Sequence, residues 1–405
     1  MQADVVIVGG GPGGCTASLF LEQRGIQSVI VEKDEFPRFH IGESMTGEAG
    51  AIVRRLGLEE RMKKQGYPVK FATEVYGKGG KNKFRVNVMS RSDKGLDRAS
   101  TWQVRRSDFD SILFETAIER GATHIRGTAK KPIVDRDGRV TGVSVELADG
   151  DTLDINASMV IDASGRGTWA HRIGLTGPKG KGNYATQTAA FSHVRGAVRD
   201  EGDDQGNTLI FYKSHLHWGW FIPIDDEITS VGIVAPNTHF RDFGGSVEEF
   251  YEAEVRSLNP ELWRRLEDVE LVQPVRSTAN FSYEVSEYVG DGFMCVGDSH
   301  RFIDPIFSFG LYVTMAEAEK AAAAITEQMA GTNGEALDEF VAFAERGQNN
   351  LQALVDGFWT NPLAFGYMVH HSEYADNFTD LFAGRIYDEE ANPAITKLES
   401  LISST

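Results

Sequence analysis

Cysteine is nearly missing from the 405 residues: Cys15 and Cys295 are the only two, each inside a glycine-bearing apolar segment. Two such residues cannot staple a chain of this length, and they read as small buried side chains in a reducing compartment. The apolar N-terminus has no basic stretch ahead of it, and Gly and Pro break it from Gly9 onward. It reads as neither a secretory signal nor a membrane span, so the expected setting is cytoplasmic. Positive charge is also scarce, with 41 Lys and Arg against 59 Asp and Glu and a net charge of -18. Such a surface would not neutralise a phosphate lattice, which argues against nucleic acid or an anionic membrane as main partner. A local basic group, Arg54, Arg55, Arg61, Lys63 and Lys64, leaves room for an acidic partner. No repeat, low-complexity tract or flexible linker is found, so two domains, if present, are interleaved.

Hydrophobic residues make up 41% and charged residues 25%, as in a soluble globular protein. The first ordered unit is legible at once. Ala3 to Val8 is a β-branched run, expected as a buried parallel strand. Gly9, Gly11 and Gly14 follow in the GxGxxG spacing, Thr16 to Gln23 reads as helix, and Glu32 closes the next strand, Ser28 to Val31. Strand, tight turn, helix, strand and acid together form a dinucleotide fingerprint. The glycines allow close approach of a pyrophosphate to the helix N-terminus, and Glu32 is placed to hold a ribose hydroxyl.

Four later segments extend this pattern. Pro37-Arg38 and Gly42-Glu43-Ser44 form a glycine-bearing loop, and Arg106 stands at the start of a helix expected over Asp108 to Arg120. Met159 to Arg166, with Asp162 and Gly165, and Gly292 to Asp298 each read as a strand ending in a small-residue turn. In this order the segments resemble the cofactor-binding stretches of aromatic-hydroxylase-type flavoproteins, which implies FAD, with Asp298 on its ribityl chain. No second complete glycine fingerprint for NAD(P) is found, so a separate flavin reductase is the expected source of FADH2.

Between these markers, Phe71 to Val88 reads as a hairpin and Ser90 to Ala99 as a solvated loop. Ile133 to Ile155 reads as a β-meander with Asp-Gly turns, and Ala185 to Pro236 as several longer strands. Helices are expected at Val247 to Leu258, Phe309 to Ala330 and Glu335 to Trp359, followed by a mixed aromatic tail from Asn361 to Thr405.

Trp218-Gly219-Trp220-Phe221-Ile222-Pro223 concentrates aromatic surface within one strand, and alternate positions put both indoles on one face. Such a pair can wall a tunnel or simply pack against a helix layer. With the Trp-x-Trp-x-Ile-Pro set of Trp218, Trp220, Ile222 and Pro223, and the Pro37-Arg38 to Ser44 loop, the chain resembles the flavin-dependent halogenases over most of its length. Gly66-Tyr67-Pro68-Val69-Lys70 is similar to the lysine context of the branch acting on phenols and pyrroles. The resemblance implies an α/β fold: a Rossmann-like FAD-binding domain interleaved with a mixed β-sheet substrate domain, aromatic-hydroxylase-like, plus a helical C-terminal tail. It sets the bounds at residues 1–175 with 285–330 for FAD, 176–284 for the substrate and tunnel sheet, and 331–405 for the C-terminal pocket region.

It also implies the chemistry. FADH2, oxygen and chloride or bromide give hypohalous acid, which passes Trp218 and Trp220 to Lys70 and halogenates an electron-rich ring, free or bound to an acyl carrier. The halide would meet backbone N–H groups at Ser308, Phe309 and Gly310, where the bulky Phe309 departs from the family's Ser/Thr-rich turn. Lys70 taken alone could equally be a surface lysine, with Lys78 and Lys81 as neighbours in a solvent-facing stretch. Burial would lower its pKa, so an ammonium or a neutral amine are both open. His300 reads as a flavin contact or a helix-entry residue, and His370-His371 as pocket wall or packed helix. A metal at His215 and His217 lacks a third ligand at suitable spacing, so no metal is expected. A monooxygenase or isoprenoid-type reductase shares the scaffold and is the alternative enzyme reading. A flavin-binding protein without turnover is the non-enzymatic one.

Overall fold

The computed structural model describes residues 1–92, 95–331 and 335–403. Its first sheet has eight strands in the order Thr152–Asn156, Val140–Leu147, Thr123–Val134, Ser28–Glu32, Val5–Val8, Met159–Asp162, Phe293–Cys295 and Val289–Gly290. The central strands pair in parallel and are buried along their whole length. Burial on both faces is why they read as continuous Val/Ile runs, without alternation. The helix Pro12–Glu22 packs against Gly310–Met329 and Arg106–Glu119 over this sheet. It begins four residues earlier than the expected Thr16, because Pro at its first position supplies a preset φ and needs no N–H partner.

A second eight-stranded sheet runs Glu270–Leu271, Gln187–Arg195, Ile228–Pro236, His217–Pro223, Thr208–Ser214, Ala72–Tyr76 and Lys83–Asn87, with Arg276–Ala279 also on Gln187–Arg195. Period-two alternation divides its side chains. One face, with Phe211, Phe221, Val231 and Ile233, packs on Phe250, Tyr251, Leu258 and Leu262 of the helices Val247–Ser257 and Pro260–Leu266. Ser246 caps the first of these helices through a reciprocal bond with Glu249. The other face, with Phe191, Ile210, Trp218, Trp220 and Ile222, belongs to the larger core. The hairpin expected over Phe71 to Val88 forms within this second sheet, which roofs the first, so that part of residues 1–175 lies apart from the first sheet and its glycine turn.

Ser90 to Ala99 is corrected: Met89–Ser92 and Gly95–Arg98 pair as an antiparallel hairpin, with residues 93–94 outside the described set. Clustered charges do not prevent a strand whose edges are solvated, which is how the pattern misled. The tail forms three helices, Pro362–His370, Ala375–Ala383 and Pro393–Ser403. Among the described residues, no helix is long and apolar enough to cross a membrane. The basic group is mostly paired, Arg55 with Glu319, Arg61 with Glu119 and Lys63 with Glu60.

Candidate active site

One cavity of about 480 Å³ lies between the two sheets. Its cofactor-sheet side is made by Gly9, Gly11, Pro12 and Gly13, by Glu32, by the loop Arg38 to Ser44, by Arg106, by Ala163 to Arg166, and by Asp298. Gly9 has φ +107°, and a Cβ there would stand 2.5 Å from Ala163 O; one at Gly13 would stand 2.7 Å from Thr314 Cγ2. Gly14 does not line the cavity; a Cβ there would overlap Gly9 O, so its lack of side chain lets helix and strand touch.

Glu32 accepts from Gly10 N at 2.8 Å and Asp34 N at 2.9 Å. Asp110 is completely buried and pairs with both arginines of this wall, Arg106 at 2.7 Å and Arg38 at 3.3 Å. Sequence reasoning missed Asp110, although the i,i+4 spacing from Arg106 was a signal. Burial raises the Asp298 carboxyl to about 6 against the pull of Arg166 and Arg106. A carboxyl desolvated at a cavity wall is well served by ligand hydroxyls. The glycine cradle, the open helix N-terminus and Asp298 together fit a flavin dinucleotide. Asp162 is placed otherwise: its carboxylate accepts from Ser164 N at 2.9 Å and Ala170 N at 2.7 Å, shapes the turn and is not on the wall.

The second-sheet side carries Ala189, Phe191, Thr208, Ile210, Trp218, Trp220 and Ile222. The two indoles lie 6.0 Å apart, centroid to centroid, on the same face of His217–Pro223, as the alternation requires. Trp220 Nε1 donates to Ser230 Oγ at 3.1 Å, which fixes its ring across Gly232. Pro223 ends the strand and does not reach the cavity.

Lys70 stands one side chain behind this wall. It is 3% exposed, and its Nζ donates to Ser44 Oγ at 2.9 Å and Met45 O at 3.1 Å. Desolvation pushes the amine down to about 7. Ser44 Oγ also meets Thr208 Oγ1 at 2.8 Å, and Gln103 Nε2 donates to the same Thr208 oxygen at 2.8 Å. Ser44 and Thr208 both line the cavity, so this polar row connects it to the lysine. Glu43 accepts from His193 Nε2 at 2.8 Å, tying the cofactor loop to the second sheet. No sequence spacing could have linked residues 150 positions apart.

Ser308, Phe309 and Gly310 line the cavity where the helix Gly310–Met329 begins. Ser308 is left-handed at φ +62°, Phe309 is the N-cap without a side-chain bond, and a Cβ at Gly310 would meet nothing within 4 Å. The first turn of this helix presents unpaired N–H groups and a positive dipole end to the cavity, an arrangement suited to an anion. Asp304, also on the wall and missed from sequence, accepts from Ile306 N at 2.9 Å and Gln187 Nε2 at 3.0 Å; burial raises it to about 6.

The comparisons with known proteins agree with this geometry. The family model of an FAD binding domain matches residues 2–351. A 1H-pyrrole-2-carbonyl-[peptidyl-carrier protein] brominase from Pseudoalteromonas luteoviolacea is 36% identical over 98% of this chain and 96% of its own length. The chain belongs to the flavin-dependent halogenases. The solved flavin-dependent brominase Bmp2 superposes on this halogenase with a TM-score of 0.93 at 35% identity, covering 100% of this chain and 99% of that one. A chlorinase of the same carrier-bound pyrrole from Pseudomonas fluorescens is 28% identical over 99% of this chain and 93% of its own length. The halogenase is therefore an FAD-dependent oxidoreductase with halide as co-substrate, and its fold is the α/β arrangement expected from sequence.

Several expected contacts are not brought to the halogenase cavity. His300 bonds Glu317 at 2.8 Å and stacks on Tyr288, away from the wall. His370 and His371 do not line the cavity, and of the described residues beyond 331 only Gln348 and Leu351, on the helix Glu335–Thr360, do so. Phe307, Phe358, Phe365, Phe378 and Phe382 instead pack on one another, because edge-to-face rings bury more area together than alone.

Proposed function

We propose that this halogenase brominates or chlorinates a pyrrole-2-carbonyl group carried by a peptidyl carrier protein, with Lys70 passing the halogen to the ring. The observation that carries the reading is the buried Lys70 amine, lowered to about 7 and bonded to Ser44 at the cavity wall. The carrier-bound pyrrole is supported by the printed activities of the two relatives.

Reduced FAD, when bound, supplies the electrons that activate oxygen for halide oxidation. Gly9, Gly11 and the N-terminus of Pro12–Glu22 would hold its pyrophosphate, Glu32 a ribose hydroxyl, and Gly165 and Asp298 its ribityl side. Arg38 and Arg106, fixed by Asp110, would bind its phosphates. The backbone N–H groups at Phe309 and Gly310 would seat the halide; the Ser308 N–H, expected to join them, instead donates to Pro305 O at 3.0 Å and closes the turn before the helix. Trp218, Trp220 and Ile222 keep an organic ring from the flavin side while a small hypohalous acid passes, so halogenation is separated from hydroxylation. Lys70 then receives the oxidant through the Ser44–Thr208 row and orients its halogen toward the ring carbon. Residues 1–175 with 285–330 would serve the cofactor, apart from the Phe71 to Val88 hairpin, which joins 176–284 in the roof. The 331–405 region packs on Gly310–Met329 and on Lys83–Asn87 and would contribute Gln348 and Leu351 to the cavity. A separate flavin reductase in the cytoplasm would supply FADH2.

The test supplies reduced FAD, oxygen and bromide or chloride to the enzyme with pyrrolyl-carrier or free pyrrole-2-carboxylate, and reads halogen mass shifts. Halogenated carrier, with Lys70→Ala yielding none while flavin oxidation continues, is the expected result. Halogenation by Lys70→Ala overturns the lysine's role; equal turnover of the free acid overturns the carrier.

A further inference from the structure

The second sheet holds a polar cluster on the face turned away from the cavity. His217 opens the strand His217–Pro223, and alternation sends it to the opposite face from Trp218. There it meets Glu254 of the helix Val247–Ser257 and His239 of the helix Asn237–Phe243. His217 Nε2 lies 2.8 Å from Glu254 Oε2, and His239 Nε2 lies 2.7 Å from Glu254 Oε1. The three candidate ligand atoms all lie within 4.8 Å of one another. The expectation of no third ligand failed because it searched close to His215 and His217 in sequence. His215 instead packs edge-on against Trp359, and the partners come from two helices further on.

We propose that His217, His239 and Glu254 bind a zinc ion that fastens both helices to the strand carrying Trp218 and Trp220. Two imidazoles and one carboxylate form a zinc donor set that leaves a fourth position for water. His239 is 44% exposed in its side chain and gives the ion a way in, while His217 and Glu254 are nearly enclosed. Zinc bond lengths of about 2.0–2.2 Å place tetrahedral donors about 3.3–3.6 Å apart, so the histidine–glutamate contacts of 2.7 and 2.8 Å must open, and donors up to 4.8 Å apart must draw together.

Lys213 Nζ, 3.0 Å from Glu254 Oε2, is the competitor. It can keep its bond to the ligating carboxylate or swing toward Ser257 Oγ, 3.5 Å away, and in either place its charge weakens binding. The sheet separates the ion from the cavity, so its role is to brace the tunnel strand and not to take part in halogen transfer.

The test uses the untagged, FAD-loaded full chain, freed of metal with a chelator and titrated with zinc, and in parallel with cobalt for its visible tetrahedral bands. The wild-type chain should take up a single tight equivalent of either metal and gain thermal stability with zinc. His239→Ala, at an exposed helix position, should weaken uptake by more than about 100-fold, beyond what losing an outer hydrogen bond costs. Glu254→Gln should do the same, and Lys213→Met should tighten binding. No uptake by the wild-type chain overturns the proposal. So does zinc binding that persists unchanged in both His239→Ala and Glu254→Gln, since the metal then sits elsewhere.

Discussion

Lys70 Nζ lies 2.9 Å from Ser44 Oγ, and Ser44 is the residue through which the lysine meets the cavity. The serine belongs to the cofactor loop, whereas Lys70 lies beside the second sheet. This hydrogen bond therefore joins the cofactor loop to the second-sheet side, the boundary that in the proposed mechanism divides making the oxidant from using it.

Ser44→Ala leaves Nζ with Met45 O as its remaining acceptor. The ammonium form loses a stabilising acceptor, so the Lys70 pKa falls below about 7. Halogen transfer by the wild-type enzyme, fed with pre-reduced flavin, should show an inflection near pH 7, displaced to lower pH in Ser44→Ala. Profiles that coincide would remove Ser44 from the lysine's control.

Lys70 should also shape stability. Its folded pKa of about 7 lies below the ordinary lysine value of about 10.4. Between these values the unfolded chain binds the extra proton, so this group makes stability rise with pH at up to about 1.4 kcal/mol per unit. Below the folded pKa the cost of the buried charge is fully present. Lys70→Met, which keeps volume without charge, should be more stable than wild type near pH 6, and the difference should shrink toward pH 10. Denaturant midpoints across that range test it; a pH-independent difference would contradict a buried, titrating amine.

Trp220→Phe keeps an aromatic wall but removes the donor to Ser230 Oγ. A loss of about 1 kcal/mol is expected. Trp220→Ala should lose about 3–5 kcal/mol and widen the passage, lowering halogenated product per flavin oxidised. An unchanged product-to-flavin ratio in Trp220→Ala would show that the indole is not the barrier.

Asp298→Ala removes the desolvated carboxyl from the cofactor wall. FAD affinity should drop by about 10–100-fold, equivalent to about 1.4–2.7 kcal/mol. Flavin fluorescence on dilution reads this directly, and full retention of bound FAD would place the ribityl chain elsewhere.

The cofactor half was legible because its signals are local. Gly9, Gly11, Gly14 and Glu32 are fixed by spacing within one strand–helix–strand unit, and Trp218, Trp220 and Ile222 by period-two alternation within one strand. Asp162 shows the limit of the same logic. The strand-end acid was correctly placed on a turn, but whether it faced a ligand depended on Ala170 N, eight residues on.

Chain order and side-chain periodicity were sufficient for the dinucleotide turn, the buried parallel strands and the indole-bearing face, because each depends on backbone geometry over a few residues. The enclosure of Lys70 by Ser44 and Met45, the Glu43–His193 tie and the meeting of His217 with His239 and Glu254 depended on long-range packing. Burial and electrostatic neighbours are set by which distant surfaces close together. A lysine whose own sequence context leaves surface and interior equally open acquires its altered acidity only when that closure removes its water.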